Sequence, residues 1–172
     1  MLSAVDVLAL DPATKTGVAF GRAGQKPQLW TENFGSEDAT CEDIYARATL
    51  FLADFLRTHP VGLFVIEGVV PPSGAKGFTN HNTTMITVGL FAIFVGIARC
   101  KRIPWRRVTV SSWRKHFLGS GRMKTDEAKR AAVKRCRMLG WHPPDHNAAD
   151  AAGMWDWGCS QLRSPSFEGL QW

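Results

Sequence analysis

The sequence predicts a single α/β domain in which helices flank a mixed five-stranded sheet. Two observations carry this prediction: short apolar runs bounded by turn residues recur along the chain, and their spacing changes partway. The first three runs follow one another closely, as in an antiparallel meander, whereas helical segments separate the later ones, as parallel strands require. The five runs are Val5–Leu10, Thr16–Gly21, Gln28–Phe34, Val61–Ile66 and Arg106–Val110.

The first half of the chain contains the meander and one helix. Gly24 lies in the turn between the second and third strands and makes them a hairpin. The segment Glu37–Thr58 has apolar residues on one helical face, and Pro60 stops the helix. The fourth strand follows, and Glu67 comes directly after it. We therefore expect one sheet with an antiparallel half and a parallel half.

The second half opens with a loop, Gly68–Thr84, and long loops in compact domains are often functional. An apolar helix follows and ends near Cys100. Its apolar stretch is shorter than the roughly 20 residues that span a bilayer, so we expect a buried helix and no membrane partner. After the fifth strand, Ser111 or Ser112 can cap a short helix, and Thr125 can cap a basic one.

The composition favours a polyanionic partner. The 172-residue chain has a formal net charge of +6, and nucleic acid is the commonest partner of a basic protein. Four scattered cysteines without metal-type pairing indicate reduced thiols, and acids interrupt the apolar N-terminus, which argues against a signal peptide. We therefore expect a cytoplasmic protein with one domain over residues 1–158 and an irregular tail over residues 159–172.

Acidic residues stand at the ends of two predicted strands and near the start of the last helix. Asp11 follows the first strand and Glu67 the fourth. If these strands are adjacent and parallel, both carboxylates meet at the edge of the sheet where ligands bind in open α/β folds. Asp150 lies one turn into the last helix among alanines, in a segment that can approach a sheet closely. The sequence therefore predicts a cluster of three acids.

Other polar residues accompany Asp150 at the start of the last helix. Asn147 and His146 precede it by three and four residues and share its helical face, and Asp145 stands at the helix mouth. Simpler explanations stay open: Asp11 can start a turn, and Glu67 can be a solvated strand end. Asp145 can be only a helix cap, and His146 can be a surface histidine.

Clustered carboxylates repel one another and therefore require a cation. Their hard oxygen atoms suit Mg²⁺, for which Mn²⁺ can substitute. Two such ions about 4 Å apart can activate a water molecule and stabilise the leaving oxygen of a phosphodiester. The acids therefore predict a metal site whose chemistry suits a phosphodiester, and the basic charge suits a polyanionic substrate.

Three motifs resemble, in their order along the chain, those of RuvC-type Holliday junction resolvases. They are LALDPATKTGVAFG, FVIEG and DHNAADAAGMWDWG. The resemblance runs from Val5 to Gly158 and is greatest to the compact phage and prophage branch of this ribonuclease H-like group. It implies a ribonuclease H-like fold and a Mg²⁺-dependent homodimeric endonuclease, bacterial or from a phage-infected cell. Such an enzyme resolves four-way DNA junctions by paired phosphodiester hydrolysis.

The resemblance also assigns residues. It implies that Asp11, Glu67 and Asp150 are metal-binding catalytic acids serving two ions. The family's fourth ligand lies one turn before the last aspartate, where this chain has Asn147. Because His146 and Asp145 flank that position, all three remain candidates for the fourth ligand or an outer role. The dimer would form on the helix after the glutamate loop.

DNA contacts are expected from basic residues in the second half of the chain. Lys124, in the segment GSGRMK, corresponds to a stretch in which the family places a DNA-contacting lysine. The basic residues between Lys129 and Arg137 are explained equally well as a solvated helix face, and Trp113 can stack on exposed bases. The further candidates are Arg122, Lys115, Arg114 and, in the glutamate loop, Lys76 and Phe78.

Other functions remain open from sequence. A related ribonuclease H-like nuclease that acts on forks, flaps or RNA–DNA hybrids would share the same acids. A junction-binding module that does not cut would be favoured if Asn147 leaves the site short of a ligand. The segment DPATKTG also resembles the phosphate loop of actin-like kinases, but 172 residues leave no room for their second lobe.

Overall fold

A computed structural model describes residues 5–69 and 81–162 of the chain. Its five strands form one sheet in the order β3-β2-β1-β4-β5, in which β1, β2 and β3 are antiparallel and β4 and β5 run parallel to β1. This confirms the predicted mixed sheet with flanking helices. The strands are β1 (Asp6–Asp11), β2 (Lys15–Arg22), β3 (Gln28–Asn33), β4 (Leu63–Glu67) and β5 (Trp105–Val108). The helices are α1 (Cys41–Thr58), α2 (His81–Cys100), α3 (Val110–Leu118), α4 (Thr125–Met138) and α5 (His146–Gln161).

Several predicted boundaries were wrong because competing caps lay nearby. Helix α1 begins four residues later than Glu37, since Thr40 and Asp43 form a reciprocal capping box. Helix α3 is capped by Thr109, whose hydroxyl accepts from the Ser112 amide, and not by either predicted serine. At α4 the cap position belongs to Lys124, which makes no side-chain cap bond. The sequence identified these helices but not their first residues.

Helix α5 is longer than predicted. The irregular tail was expected from Cys159, yet the helix continues to Gln161 and includes Cys159, which is buried. The cysteine belongs to the core formed by the sheet and helices α3, α4 and α5. The tail after Leu162 and most of the predicted Gly68–Thr84 loop lie outside the described residues.

The two faces of the sheet are covered by different helices. Along β1, Val7 and Ala9 contribute to the core beneath α3, α4 and α5, and Leu8 and Leu10 contribute to the core beneath α1 and α2. This alternation is the period of two expected of a strand covered on both faces. The acids at the strand ends therefore stand at the rim of a sheet that is buried on both sides.

Helix α5 packs unusually close to the sheet because its inner face consists of small residues. A Cβ atom on Gly17 of β2 would overlap the carbonyl oxygen of Asn147, and one on Gly158 would lie 2.6 Å from a methyl carbon of Val65. Residues Ala148, Ala149, Ala151 and Ala152 are fully buried. Gly17, the glycine of DPATKTG, therefore allows the start of α5 to lie against β2, in which Gly17 itself is opposite Asp11 of β1.

Helix α2 was predicted to be buried, and only one stripe of it is. Leu90, Phe94 and Ala98 lie in the core, whereas Met85 is 50% and Val88 is 45% exposed. Its 18-residue window Thr83–Cys100, with a mean hydropathy of 1.8, has the length and composition of a membrane-spanning helix, as core helices of globular domains also can. The buried stripe anchors α2 in the domain and leaves an apolar outer face.

Candidate active site

The strand order brings two of the predicted acids to one edge of the sheet. Asp11 is the last residue of β1 and Glu67 the last of β4, and these strands are adjacent and parallel, with Leu10 opposite Ile66. Asp150 lies in the second turn of α5, only 7% exposed. Three elements that are distant in sequence therefore present one carboxyl group each to this edge.

The three carboxyl groups interact electrostatically. Burial raises the pKa of Asp11 well above its usual value, and the negative charges of Glu67 and Asp150 raise it further. Burial likewise raises the pKa of Asp150 to about 6, with a smaller contribution from the charge of Glu67. Two cationic side chains, Arg114 and Lys129, oppose these shifts at both aspartates. The edge is therefore an acidic site with two basic neighbours.

Glu67 is held by a hydrogen bond from α3. The indole Nε1 of Trp113 donates to its Oε2 at 2.9 Å, and Trp113 itself is 1% exposed. Burial raises the pKa of Glu67, whereas the Trp113 bond and the charge of Arg114 lower it. The buried indole therefore fixes one oxygen of Glu67 and leaves the other for a ligand.

Two buried polar atoms near the acids are unsatisfied. Within residues 5–69 and 81–162, Oδ1 of Asp150 and Nε of Arg114 have no hydrogen-bond partner. Leaving a buried carboxylate oxygen unpaired costs about 1–3 kcal/mol or more, so such atoms require an explanation. An unpaired oxygen on a carboxylate that interacts electrostatically with two other acids fits a bound hard cation, which would satisfy it and remove the mutual repulsion.

The acids do not form a preassembled coordination cage. Among the described residues, no group of three or more histidine, cysteine, aspartate or glutamate side chains is placed to hold a metal ion together. The fit to a cation therefore rests on the chemistry of the donors, their mutual repulsion and the unpaired oxygen of Asp150. All of the donors are carboxylate oxygens, the ligand type that Mg²⁺ and Mn²⁺ prefer.

The three polar residues at the start of α5 have different surroundings. The Oδ1 of Asp145 accepts hydrogen bonds from the amide of Ala148 at 2.9 Å and from the hydroxyl of Thr31 at 2.7 Å. Burial would raise the pKa of Asp145, but these bonds outweigh burial and lower it. His146 is exposed, and Asn147 is half-buried with its backbone against Gly17. Asp145 is thus a helix cap with one carboxylate oxygen already committed.

The predicted DNA-binding residues surround the site unequally. Lys115, Arg122 and Lys124 are exposed, whereas Arg114 is half-buried and acts on all three acids. The predicted stacking of bases on Trp113 was wrong, because its ring is enclosed in the core. Lys76 and Phe78 lie outside the described residues.

Sequence reasoning missed three contributors to the site. Trp113 positions Glu67, Lys129 faces the two aspartates, and Thr31 holds Asp145. Of the three, only Lys129 could have been found from the sequence. It lies in the second turn of α4, and the short segment GSGRMK before that helix directs it back toward the site. The two hydrogen bonds depend on packing between distant elements and had no local signal.

The chain matches no protein-family model and no curated protein sequence. Several solved structures have the same fold. Thermus thermophilus RuvC is 14% identical, with a TM-score of 0.65 over 91% of this chain and 93% of its own. The same protein in complex with a Holliday junction substrate is 12% identical, with a TM-score of 0.67 over 96% of each chain.

A eukaryotic structure extends the likeness. The yeast mitochondrial Holliday junction resolvase Ydc2 is 11% identical, with a TM-score of 0.59 over 91% of this chain and 81% of its own. Identities of 11–14% establish a shared fold, and the strand order and five helices described above agree with it. The chain therefore has the ribonuclease H-like fold of the RuvC-type Holliday junction resolvases.

Proposed function

We propose that the chain is a metal-dependent endodeoxyribonuclease that resolves four-way DNA junctions by hydrolysing one phosphodiester in each of two strands. The observation that carries the proposal is the acidic edge, where Asp11, Glu67 and the unpaired Oδ1 of buried Asp150 meet. The RuvC-type fold supports the junction as substrate, because structures of that fold include one with a Holliday junction bound.

Asp11, Glu67 and Asp150 would hold Mg²⁺, for which Mn²⁺ can substitute, with two ions in each site. When bound, these ions supply an activated water and stabilise the charge on the leaving oxygen. The carboxyl groups must be ionised to bind them, so the raised pKa values of the metal-free site fall when the cation is present. Deprotonation of Asp150 and metal binding are therefore coupled.

Other residues of the chain orient and balance the acids. Trp113 fixes one oxygen of Glu67, so that the carboxylate cannot rotate away from the edge. Arg114 and Lys129 offset part of the negative charge before DNA binds. A phosphate entering the site is itself an anion, so these two cations also lower the repulsion it meets.

The fourth ligand would come from the start of α5. Asn147 lies one turn before Asp150 and can offer its side-chain oxygen. Asp145 is a weaker candidate than its charge suggests, because its Oδ1 already accepts from Ala148 and Thr31 and only Oδ2 is left. His146, exposed at the first helical position, would orient water or substrate from outside the metal shell.

The DNA would be held mainly by cations outside the acidic edge. Lys124 and Arg122 precede α4, and Lys115 projects from α3. Contacts of this kind fix the position of the backbone and supply most of the affinity, with a strong dependence on salt. We assign Lys76 and Phe78 to the junction centre from their position in the chain, between Glu67 and α2.

A homodimer would place two such sites on one junction, since a twofold axis relates the two strands that are cut. The outer face of α2 supports this assembly, because the apolar side chains of Met85 and Val88 are exposed there. Phe94 of the same helix is fully buried in its own domain and cannot serve as an interface residue. An enzyme acting on chromosomal or phage DNA would work in the cytoplasm.

One experiment separates this proposal from its alternatives. Labelled four-way junction, fork, flap and RNA–DNA hybrid substrates are incubated with the full chain in Mg²⁺. We expect paired nicks in the four-way junction and much slower cutting of the others. Preferential cutting of the fork, flap or hybrid would replace the resolvase proposal with a related nuclease. Tight junction binding without cutting would favour a binding module.

A further inference from the structure

A groove of about 720 Å³ separates α4 from the segment that leads into α5. Its apolar lining comes from Val133 and Met138 of α4 and from Pro143 and Pro144 of the following segment. Basic side chains of α4 also line the groove: Lys129, Arg130, Lys134 and Arg137. Arg130, Lys134 and Arg137 follow one another at helical spacing, so one side of α4 presents a row of positive charge.

The groove is cationic along its length. Among the described residues that line it, Asp145 is the one acid. The Oδ1 of that carboxylate accepts from the amide of Ala148 and the hydroxyl of Thr31, so one of its two oxygens is already committed within the protein. Four basic side chains therefore outnumber a single carboxylate among the described lining residues.

One end of the groove reaches the acidic edge. Lys129 lines the groove and also acts on Asp11 and Asp150, and Asp145 and His146 line it one turn before Asp150. We propose that this groove binds the sugar–phosphate backbone of the DNA strand that continues away from the phosphodiester held at the acids. The inference rests on the proposed function and names the path of the substrate on one side of the cut.

The dimensions of the groove agree with a DNA backbone. From Lys129 to Arg137 the helix rises about 12 Å, and one strand of a duplex carries a phosphate about every 3.4 Å along its axis, so about three successive phosphates fit. Arginine and lysine would contact the phosphates, and the proline and valine surface would face the sugars. Because phosphate contacts do not read bases, the groove would add affinity without sequence preference.

A pair of matched variants tests the groove. Arg137→Gln removes a groove charge, and Arg135→Gln removes the same charge two residues away, where α4 faces α3 across a different recess. Both side chains are exposed, so neither substitution is expected to alter folding, and equal thermal unfolding temperatures would verify this. The measurement is equilibrium binding of a synthetic four-way junction to the full chain in Ca²⁺ over a range of salt concentrations.

We expect Arg137→Gln to weaken binding several-fold and to reduce the slope of log K against log salt by about 0.9, the loss of one phosphate contact. Arg130→Gln should act in the same direction, and Arg135→Gln should resemble wild type. Equal slopes for Arg137→Gln and Arg135→Gln would overturn the inference. Absence of cleavage by wild type in Mg²⁺ would refute the proposed function separately, because the slopes depend on binding alone.

Discussion

The indole Nε1 of Trp113 donates a hydrogen bond of 2.9 Å to Oε2 of Glu67, joining the start of α3 to the end of β4. The bond lowers the pKa of a carboxyl group that burial would otherwise raise. It also restricts Glu67 to one orientation, because the donor is enclosed in the core. A residue that never touches DNA can therefore control the availability of a metal ligand.

Trp113→Phe should shift the acidic limb of the pH–rate profile to higher pH. The variant keeps an aromatic core residue but removes the donor, so the pKa of Glu67 rises and ionisation needs a higher pH. Trp155→Phe is the control, because Trp155 is equally buried but donates to backbone carbonyls of Val7 and Gly21. Both variants should lose about 1–3 kcal/mol of stability. An identical pH profile for Trp113→Phe and wild type would refute the positioning role.

Asp150→Asn should stabilise the metal-free protein at high pH. The folded-state pKa of Asp150 is about 6, above its usual 3.8, so the folded state binds the proton more tightly than the unfolded state. The contribution of this group to stability is present below pH 4 and is lost as the pH rises through 6. The variant should therefore exceed wild type by about 2–3 kcal/mol at pH 8, since one pKa unit is worth 1.36 kcal/mol.

Urea unfolding in EDTA measures this difference at pH 4 and at pH 8. The gap should nearly vanish at pH 4, where the carboxyl group is protonated in the folded state. Adding Mg²⁺ at pH 8 should stabilise wild type and reduce the gap, because a ligand of the folded state raises its stability. A gap of the same size at both pH values would show that ionisation of Asp150 is not its cause.

Val88→Glu should convert a dimer into a folded monomer. Val88 is 45% exposed on the outer face of α2, so a charge there is tolerated in the monomer and opposes pairing of two apolar faces. Leu50→Glu is the matched control, because Leu50 is 71% exposed on α1. Phe94→Glu should instead unfold the chain, since it buries a charge. Light scattering at micromolar concentration reports the mass, and a monomeric wild type, alone and on a junction, would contradict paired cutting.

Substitutions at the start of α5 identify the fourth ligand. If Asn147 binds metal through its oxygen, Asn147→Asp should keep or raise the cleavage rate and Asn147→Ala should lower it. Asp145→Asn should cost little, because asparagine caps a helix about as well as aspartate and can still accept the Thr31 hydrogen bond. A loss in Asp145→Asn as large as that in Asp150→Asn would instead make Asp145 the ligand. Metal titrations of each variant provide a measurement independent of cleavage.

The meeting of Asp11 and Glu67 could be predicted because both are local signals placed on a predictable topology. Each acid directly follows an apolar run, and a helical crossover between two such runs makes parallel neighbours of their strands. Asp150 could be added because the alanines around it permit close packing on the sheet. Gly17 permits the same close packing from the sheet, since it leaves room for the backbone of Asn147.

Features that depend on tertiary packing could not be predicted. Aromatic residues among basic ones can either stack on bases or belong to a core. The packing of α3 on α5 places Trp113 in the core. The two helices are so close there that a Cβ atom on Gly153 would overlap the Trp113 ring. Helix α2 is apolar on nearly all sides, so its composition could not identify Leu90, Phe94 and Ala98 as the inner stripe. Ser111 and Ser112 also carry hydroxyl groups, so the sequence could not identify Thr109 as the residue that caps α3.

In the proposed enzyme, three acids hold the metal that cuts branched DNA, while other residues bind the DNA. The most direct test measures cleavage of a synthetic four-way junction in Mg²⁺ and its binding in Ca²⁺ for wild type, Asp11→Asn, Glu67→Gln and Asp150→Asn. We expect each variant to lose at least about a thousandfold in cleavage rate and to bind the junction within a few-fold of wild type. Cleavage by wild type in EDTA, or a wild-type rate in any of the three variants, would contradict it.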